Sequence, residues 1–459
     1  MNATQSALRD NLARALARRA LDAMGRAHRP LAAMLDQGLV SGASFAAAVF
    51  IGRVAGEQQL GLYALAATLL VLAAGVQESL VLIPYTVFAA GSPDDLRRRY
   101  AASAFVQSAL AGLGMIGCLA VACAVLAARP AVPELSTVLM WLLVVTPAAL
   151  LREFGRRVAF AHLWLGRALA IDGAVTIIQL ALLTWLAVTG KLSATSGVAV
   201  LGISCGAVAL AWLWQFRGEF RFVTGELRGD WRRSWSLGKW LVAGHVTGIS
   251  QAYALHWILA IIVGTAGTGE FAAVMTIVSL ANPFIIGLGN FLMPTTAHAF
   301  AKSGAAGVWK VAFRATAWLG TALAIFCLLL ASTGSWVLTF LYGERFAGQS
   351  TTIGLLALAV SAAALGLGPE HALRSMDRPR AVFVANLLAL LTTLAMAVWL
   401  VPTRGTIGAA YSMSAGNTVG CLVRWWAFAT ISDFGFRIFR PRAARREGEL
   451  CDRDEEAGA

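Results

Sequence analysis

The chain alternates long apolar runs with short polar gaps. Each run is long enough to cross a hydrocarbon layer of about 30 Å as a helix. Twelve runs can be distinguished, with approximate limits 33–52, 61–89, 101–127, 135–151, 168–189, 196–216, 238–263, 271–296, 312–340, 351–369, 381–401 and 406–430. The pattern predicts an all-α integral membrane protein with twelve transmembrane helices.

The basic residues test this count of spans. Of the 37 Lys and Arg residues, 31 lie in the two terminal tails and in every second gap, whereas the other gaps hold five. Cytoplasmic loops of membrane proteins carry such an excess of Lys and Arg. A missed or invented span would break the alternation, so we expect twelve spans with both termini in the cytoplasm. The sole remaining basic residue, Arg424, falls within span 12.

The two halves of the chain contain similar glycine-containing polar stretches and prolines at similar positions. The stretch AGEQQLGLYALAATLL begins at Ala55, and AGTGEFAAVMTIVSL begins 211 residues later, at Ala266. Pro84 in span 2 and Pro294 in span 8 are 210 residues apart. We interpret both stretches as tight outside turns of a duplicated six-helix unit. Because each unit has an even number of spans, the two lobes are expected to be related by a pseudo-twofold axis along the membrane normal.

This organisation divides the chain into five parts. A stripe of leucines among arginines predicts a cytoplasmic amphipathic segment at the N-terminus that lies on the membrane surface. Two lobes follow, joined by an Arg- and Trp-rich cytoplasmic linker, and a cytoplasmic tail ends the chain. The predicted limits are 1–30 for the segment, 31–216 and 238–430 for the lobes, 217–237 for the linker and 431–459 for the tail.

Composition narrows the class of function. The chain is 58% hydrophobic and 13% charged, against about 25% charged in a soluble domain. Its net charge of +13 is accounted for by topology, so no nucleic acid partner is expected. The six cysteines form no CxxC pair, and we expect no metal and no cofactor. Neither a phosphate-binding GxxxxGK[ST] loop nor an HExxH motif occurs in the sequence, which favours a transporter over an enzyme.

Polar residues inside a bilayer are costly unless they face a cavity or a partner. Glu78, His245 and His256 lie away from the ends of their spans, and they fit either a functional or a packing role. His245 and His256 are eleven residues apart, which places them at nearly the same angle of one helix. The full set of candidate cavity residues is Asp36, Gln37, Arg53, Gln77, Glu78, Lys239, His245, His256, Asn290 and Arg424.

Several segments resemble a known family. DQGLVSGASF…GRVAGEQQLGLYALAATLL resembles the N-terminal signature of bacterial polysaccharide transporters, which are lipid-linked oligosaccharide flippases of the multidrug/oligosaccharidyl-lipid/polysaccharide exporter (MOP) superfamily. LREFGRRVAFAHLWLGRALAIDG is similar to that family's link between spans 4 and 5, and LYGERF to its stretch between spans 9 and 10. RPRAVFVANLLALL…VPTRGTIGAAY resembles its spans 11 and 12.

The resemblance implies a flippase of the bacterial inner membrane that works by alternating access. Its cargo would be an undecaprenyl-diphosphate-linked oligosaccharide repeat unit for O-antigen, capsule or exopolysaccharide assembly, and its partners would be membrane lipids, a polysaccharide polymerase and glycosyltransferases. The alternative is a cation-coupled multidrug exporter of the same superfamily, in which Glu78 and Asp36 would exchange cations. An integral-membrane polysaccharide polymerase or other enzyme is a less favoured alternative. Few Arg or Lys residues of the predicted spans lie at mid-membrane depth to hold a diphosphate.

Overall fold

The computed structural model describes residues 36–89, 92–127, 133–162 and 164–432, and the elements assigned in these ranges are helices. Nine of the helices in these ranges are long and apolar enough to cross a membrane, as expected for a multi-pass integral membrane protein. The predicted N-terminal segment 1–30 and nearly all of the tail 431–459 lie outside the described residues. The chain divides into two compact units, Met1–Val246 and Thr247–Ala459.

The first unit contains six long helices and the N-terminal part of a seventh. Their bounds are Asp36–Ala55 (α1), Glu57–Ala89 (α2), Asp94–Ala127 (α3), Pro133–Ala161 (α4), Leu165–Val188 (α5), Ala194–Phe216 (α6) and Leu227–Ile262 (α7). Helix α2 includes a π-helical turn at Glu78–Leu82. Pro84 lies just beyond this turn and lacks the N–H that would continue the regular hydrogen-bond ladder. Such π-turns concentrate at functional sites.

The second unit contains two helices that are too long for a single crossing. Its elements are Thr265–Val278 (α8), a 3₁₀ turn Ser279–Ala281, Asn282–Tyr342 (α9), Ser350–Leu365 (α10), Leu367–Ser375 (α11) and Pro379–Ile431 (α12). Helix α9 has 61 residues and α12 has 53. Each is interrupted by a glycine with a positive φ, Gly304 at 58° and Gly405 at 55°. A residue with a side chain rarely adopts this backbone conformation, so each glycine divides its helix into two segments.

The predicted turn between spans 1 and 2 is confirmed, and its repeat lies three residues earlier than the sequence suggested. Gly56 separates α1 from α2 with φ 91° and ψ 178°, and Gly264 separates α7 from α8 with φ 100° and ψ 178°. The two glycines are 208 residues apart, rather than the 211 residues of the sequence comparison, and Ala266 lies inside α8. In this register Gly61, Ala64 and Thr68 correspond to identical residues, Gly269, Ala272 and Thr276.

The predicted linker is largely structured within the first unit. It forms short 3₁₀ turns at Arg217–Glu219 and Thr224–Glu226, residues 220–223 between them are irregular, and residues 227–237 are the first turns of α7. Arg98 Nε lies 3.1 Å from Glu219 Oε2, and Arg99 Nη2 lies 3.4 Å from Asp230 Oδ1. The first ion pair fastens the linker to the beginning of α3, and the second fastens the beginning of α7 to it.

Aromatic packing holds the Arg-rich end of the first unit together. Phe154 of α4 is fully buried, with its ring centroid 5.6 Å from Phe105 of α3 and 6.1 Å from Trp212 of α6. Phe220 of the linker packs on the same group, 5.6 Å from Phe105. Aromatic rings at these separations add to the energy of simple burial, so α3, α4, α6 and the linker form one rigid base for the polar groups described next.

Candidate functional site

Helix α4 carries arginines into the interior of the first unit. The sequence placed Arg152, Arg156 and Arg157 in a cytoplasmic gap after residue 151, but α4 continues as a helix to Ala161. Their side chains are only 15%, 15% and 27% exposed. They contact carboxylates from α1, α2, α4 and α5, and we call this group the α4 charge cluster: Asp36, Glu78, Arg152, Glu153, Arg156, Arg157 and Asp172.

Arg156 lies at the centre of the cluster. Its Nη2 is 2.9 Å from Asp36 Oδ2, and its Nε is 2.7 Å from Asp172 Oδ2. Its Nη1 is 3.1 Å from Glu153 Oε1. The Asp36 and Asp172 side chains are 2% and 0% exposed, and burial of such charges is costly unless they are paired. Arg156 therefore joins α1 to α5 through two buried carboxylates.

Arg152 and Arg157 occupy the two sides of Arg156. Arg152 contacts Asp172 and lies 3.5 Å from Glu153. Arg157 forms an ion pair with Glu78, the first residue of the π-turn in α2. With Glu78 35% exposed and Arg157 27% exposed, this pair is the most accessible part of the cluster.

Two other candidates of the first unit support the cluster. Gln77 is buried and donates from Nε2 to the carbonyl of Leu150, 3.1 Å away, which fixes α2 on α4 next to Glu78. Gln37 donates to Ser41 Oγ at 3.4 Å within α1. Asp36 and Glu78 thus lie in the α4 charge cluster and Gln77 lies next to it, while their role in a cavity stays a prediction. The arginines that pair with the two acids were not among the predicted site residues.

The remaining basic candidates of the first unit lie elsewhere. Arg53 is exposed at the opposite end of α1 from Asp36. Lys239 is exposed on α7, with its Nζ 5.7 Å from the centre of the Trp240 ring. Neither residue lines the α4 charge cluster.

The two histidines of α7 occupy separate environments. His245 belongs to the first unit, where its ring packs against Gly75 of α2 so closely that a Cβ added to Gly75 would lie 1.7 Å from His245 Nε2. His256 belongs to the second unit and is buried with its ring centroid 5.2 Å from Phe271. Eleven residues of helix correspond to about 16 Å along the axis, so a shared angle does not bring the two rings together.

Arg424 is paired within the second unit. Its Nη2 donates to Asn386 Oδ1 at 2.5 Å, and its Nε lies 3.5 Å from Glu370 Oε2. Glu370 also accepts from Arg374 at 2.6 Å. Asn290 lies within α9, and its side chain is outside the described part of the structure.

The second unit also contains a polar network that sequence reasoning missed. Gln251 Nε2 of α7 donates to Asn417 Oδ1 at 2.6 Å and to Thr393 Oγ1 at 3.2 Å. Asn417 in turn donates to the carbonyl of Ala359, 2.8 Å away. Gln251 lies on α7, and Thr393 and Asn417 lie on α12 on either side of Gly405. No polar stripe on a single helical segment therefore marked these three residues as a group.

Comparisons with known proteins identify the fold. No family model matches the chain, and no curated protein matches it. A solved multidrug resistance MATE family transporter of the MOP superfamily, in an inward-facing conformation, is similar with a TM-score of 0.73 and 12% identity, over 87% of this chain and 96% of that one. The lipid II flippase MurJ, in an inward closed conformation, is similar with a TM-score of 0.67 and 10% identity, over 87% of both chains.

A third structure is a MOP superfamily transporter from Pyrococcus furiosus, described as having a binding pocket of reversed polarity. It matches with a TM-score of 0.63 and 12% identity, over 88% of this chain and 94% of that one. The chain therefore has the fold of the MOP superfamily transporters.

Proposed function

We propose that the chain is a flippase that moves undecaprenyl-diphosphate-linked oligosaccharide repeat units across the bacterial inner membrane by alternating access. Two lines support the proposal. The first is the resemblance of its sequence to polysaccharide transporters, and the second is its MOP superfamily fold. As a transporter it would perform no covalent chemistry, and its partners would be the polymerase and glycosyltransferases of polysaccharide assembly.

The proposal includes twelve spans, six in each lobe, with both termini in the cytoplasm. Division of the two longest candidate helices at Gly304 and Gly405 turns the nine candidates into eleven spans. Helix α7 is not among the nine, because His245, Gln251 and His256 lower the hydropathy of its uncharged stretch, and it would supply the twelfth span. The common backbone at Gly56 and Gly264 supports the same six-plus-six repeat.

The observation that carries the choice of cargo is the pairing of buried acids with arginines. Asp36, Glu78, Glu153, Asp172 and Glu370 each lie within 3.5 Å of a guanidinium nitrogen. The arginines favour anionic cargo, because a guanidinium group presents a planar pair of donors that matches phosphate oxygens. The four carboxylates of the α4 charge cluster outnumber its three arginines by one, and this negative charge keeps the cation-coupled multidrug exporter as the alternative.

Arg157 is the group that we expect to meet the cargo first. Its pair with Glu78 is the most exposed in the cluster, and a diphosphate oxygen could replace the Glu78 carboxylate with little rearrangement. The more buried Arg152 and Arg156 would keep their structural partners. This arrangement would supply the basic group that the predicted spans lacked.

The test is a reconstituted flipping assay. Purified protein is placed in liposomes that contain a polyprenyl-diphosphate disaccharide with a fluorophore on the sugar, and dithionite bleaches the fluorophore of the outer leaflet. We expect the wild type to make the protected inner pool accessible and Arg157→Gln to slow this exchange at least tenfold. Arg221→Gln is the matched control, since Arg221 is 62% exposed and pairs with Asp95. The proposed function would be refuted if dithionite left the same fraction of fluorophore unbleached as in liposomes without protein. Transport of a cationic dye, without flipping of the lipid-linked disaccharide, would favour the multidrug exporter.

A further inference from the structure

A groove on the first unit lies between α5 and α6. It encloses about 630 Å³, within the range of about 300–1,000 Å³ that is usual for small-molecule sites. Four alanines form much of its lining: Ala170, Ala174, Ala207 and Ala211. The larger side chains beside them on the same helices, Ile177, Ile203 and Leu210, are 71%, 57% and 62% exposed. Small residues between large exposed apolar ones make a channel that opens to the bilayer and fits an acyl chain.

Arg167 closes the Arg-rich end of this groove. Its guanidinium carbon is 4.5 Å from the centre of the Trp164 ring and 4.7 Å from that of Phe216. Among the described residues, no carboxylate lies within ion-pair distance of Arg167. The two rings hold the guanidinium group in place by its flat face, so its N–H groups remain available to an anion at the membrane surface.

A second, polar cavity adjoins the first. It has a volume of about 310 Å³ and is lined by Asp94, Arg97, Arg98, His162, Trp164 and Glu219. Glu219 borders both cavities, and Trp164, on which Arg167 stacks, lines this one. Arg97 is paired with Asp94, and Arg98 with Glu219. Arg167 is therefore the cation in excess, and it leaves the combined lining with one net positive charge.

We propose that the two cavities together bind one anionic phospholipid, such as phosphatidylglycerol. Its phosphodiester would contact Arg167, its polar headgroup would enter the cavity beside Trp164, and one acyl chain would lie between α5 and α6. A single phosphodiester charge matches the single unbalanced arginine, and basic pockets between transmembrane helices on the cytoplasmic side are known to hold anionic headgroups. The site lies within one unit and is independent of the cargo that the chain transports.

Native mass spectrometry of the full-length protein tests this proposal. The protein is delipidated in detergent and incubated with phosphatidylglycerol or with phosphatidylcholine of the same acyl chains. We expect one phosphatidylglycerol per chain, retained at least roughly fivefold better than phosphatidylcholine. Arg167→Gln should abolish the preference, and Ala207→Leu should reduce binding of both lipids because the added carbons fill the groove.

Two matched variants control for general effects. Arg217→Gln removes a neighbouring exposed arginine that stacks on Trp214 and does not line the groove. Ala122→Leu enlarges an exposed alanine on α3. Both should retain one phosphatidylglycerol. The proposal is overturned if Arg167→Gln and Arg217→Gln bind it equally, if Ala207→Leu binds it as the wild type does, or if a polyprenyl diphosphate displaces it by competition.

Discussion

Replacement of Arg156 by methionine should destabilise the protein more than any change to a surface charge. Methionine keeps much of the volume of the side chain but removes the cation from between Asp36, Glu153 and Asp172. Asp172 and Glu153 would still have Arg152 as an ion-pair partner. Among the described residues Arg156 is the one guanidinium within ion-pair distance of Asp36. The cost therefore falls mainly on Asp36, which is 2% exposed, and loss of one member of a buried pair costs about 3–5 kcal/mol.

A double-mutant cycle separates this charge effect from lost packing. The free energy of unfolding is measured by titration with SDS in detergent micelles, followed by circular dichroism. Asp36→Asn in the Arg156→Met background should restore most of the stability, because a neutral amide has no charge to bury. The coupling between the two positions should therefore lie at the upper end of the usual range, about 2–3 kcal/mol. Arg221→Met, at an exposed pair with Asp95, should change stability by less than about 1 kcal/mol. An Arg156→Met variant within about 1 kcal/mol of the wild type would contradict the role given to this residue.

Three further changes test other features by the same measurement. Gly264→Ala should cost about 1–2 kcal/mol because of its φ of 100°, whereas Gly248→Ala, in a helix with open space around it, should be neutral or stabilising. Gly75→Ala should cost about 1–3 kcal/mol through its contact with His245, and His245→Ala should relieve it; equal stability of Gly75→Ala and wild type would disprove the contact. Burial, with a contribution from Arg97, lowers the pKa of His162, so the unfolded chain binds the proton more readily and stability should fall as the pH drops below about 6.5. His162→Gln should remove that component, and an unchanged pH dependence would contradict it.

The sequence predicted the helices well because length and apolarity decide whether a segment spans a membrane. It located the turn at Gly56 for the same reason, since a polar, glycine-containing interruption between two apolar runs has few alternatives. The sequence comparison placed the second turn three residues too far along the chain because it aligned similar residues, Ala55 with Ala266. The structure aligns the two glycines that share a positive φ, Gly56 and Gly264, and backbone conformation is the stronger constraint.

The α4 charge cluster could be found from the sequence only in part. Counting Lys and Arg treats each one as a marker of topology, so it assigned Arg156 to a loop. Its partners come from positions 120 residues before it and 16 residues after it, Asp36 and Asp172, and no local pattern records such distances. One signal was available: Arg152 and Arg156 are four apart on a continuing helix, and a single acid, Asp172, begins the next span. Because consecutive helices are antiparallel, the arginines near the end of α4 and the aspartate near the start of α5 lie at the same level and can form an ion pair.

A contact between an amide and a carboxylate at the helix ends near Gly56 and Gly264 is common to the two units. In the first unit Gln59 of α2 donates to Glu134 at the start of α4, with a distance of 3.3 Å. In the second unit Gln349, at the start of α10, donates to Glu270 of α8 at 2.8 Å. The amide and the carboxylate have exchanged helices, but the contact between the corresponding helix ends is preserved. In the first unit this contact joins the helix that carries Glu78 to the helix that carries Arg157, and in the second unit it joins α8 to α10.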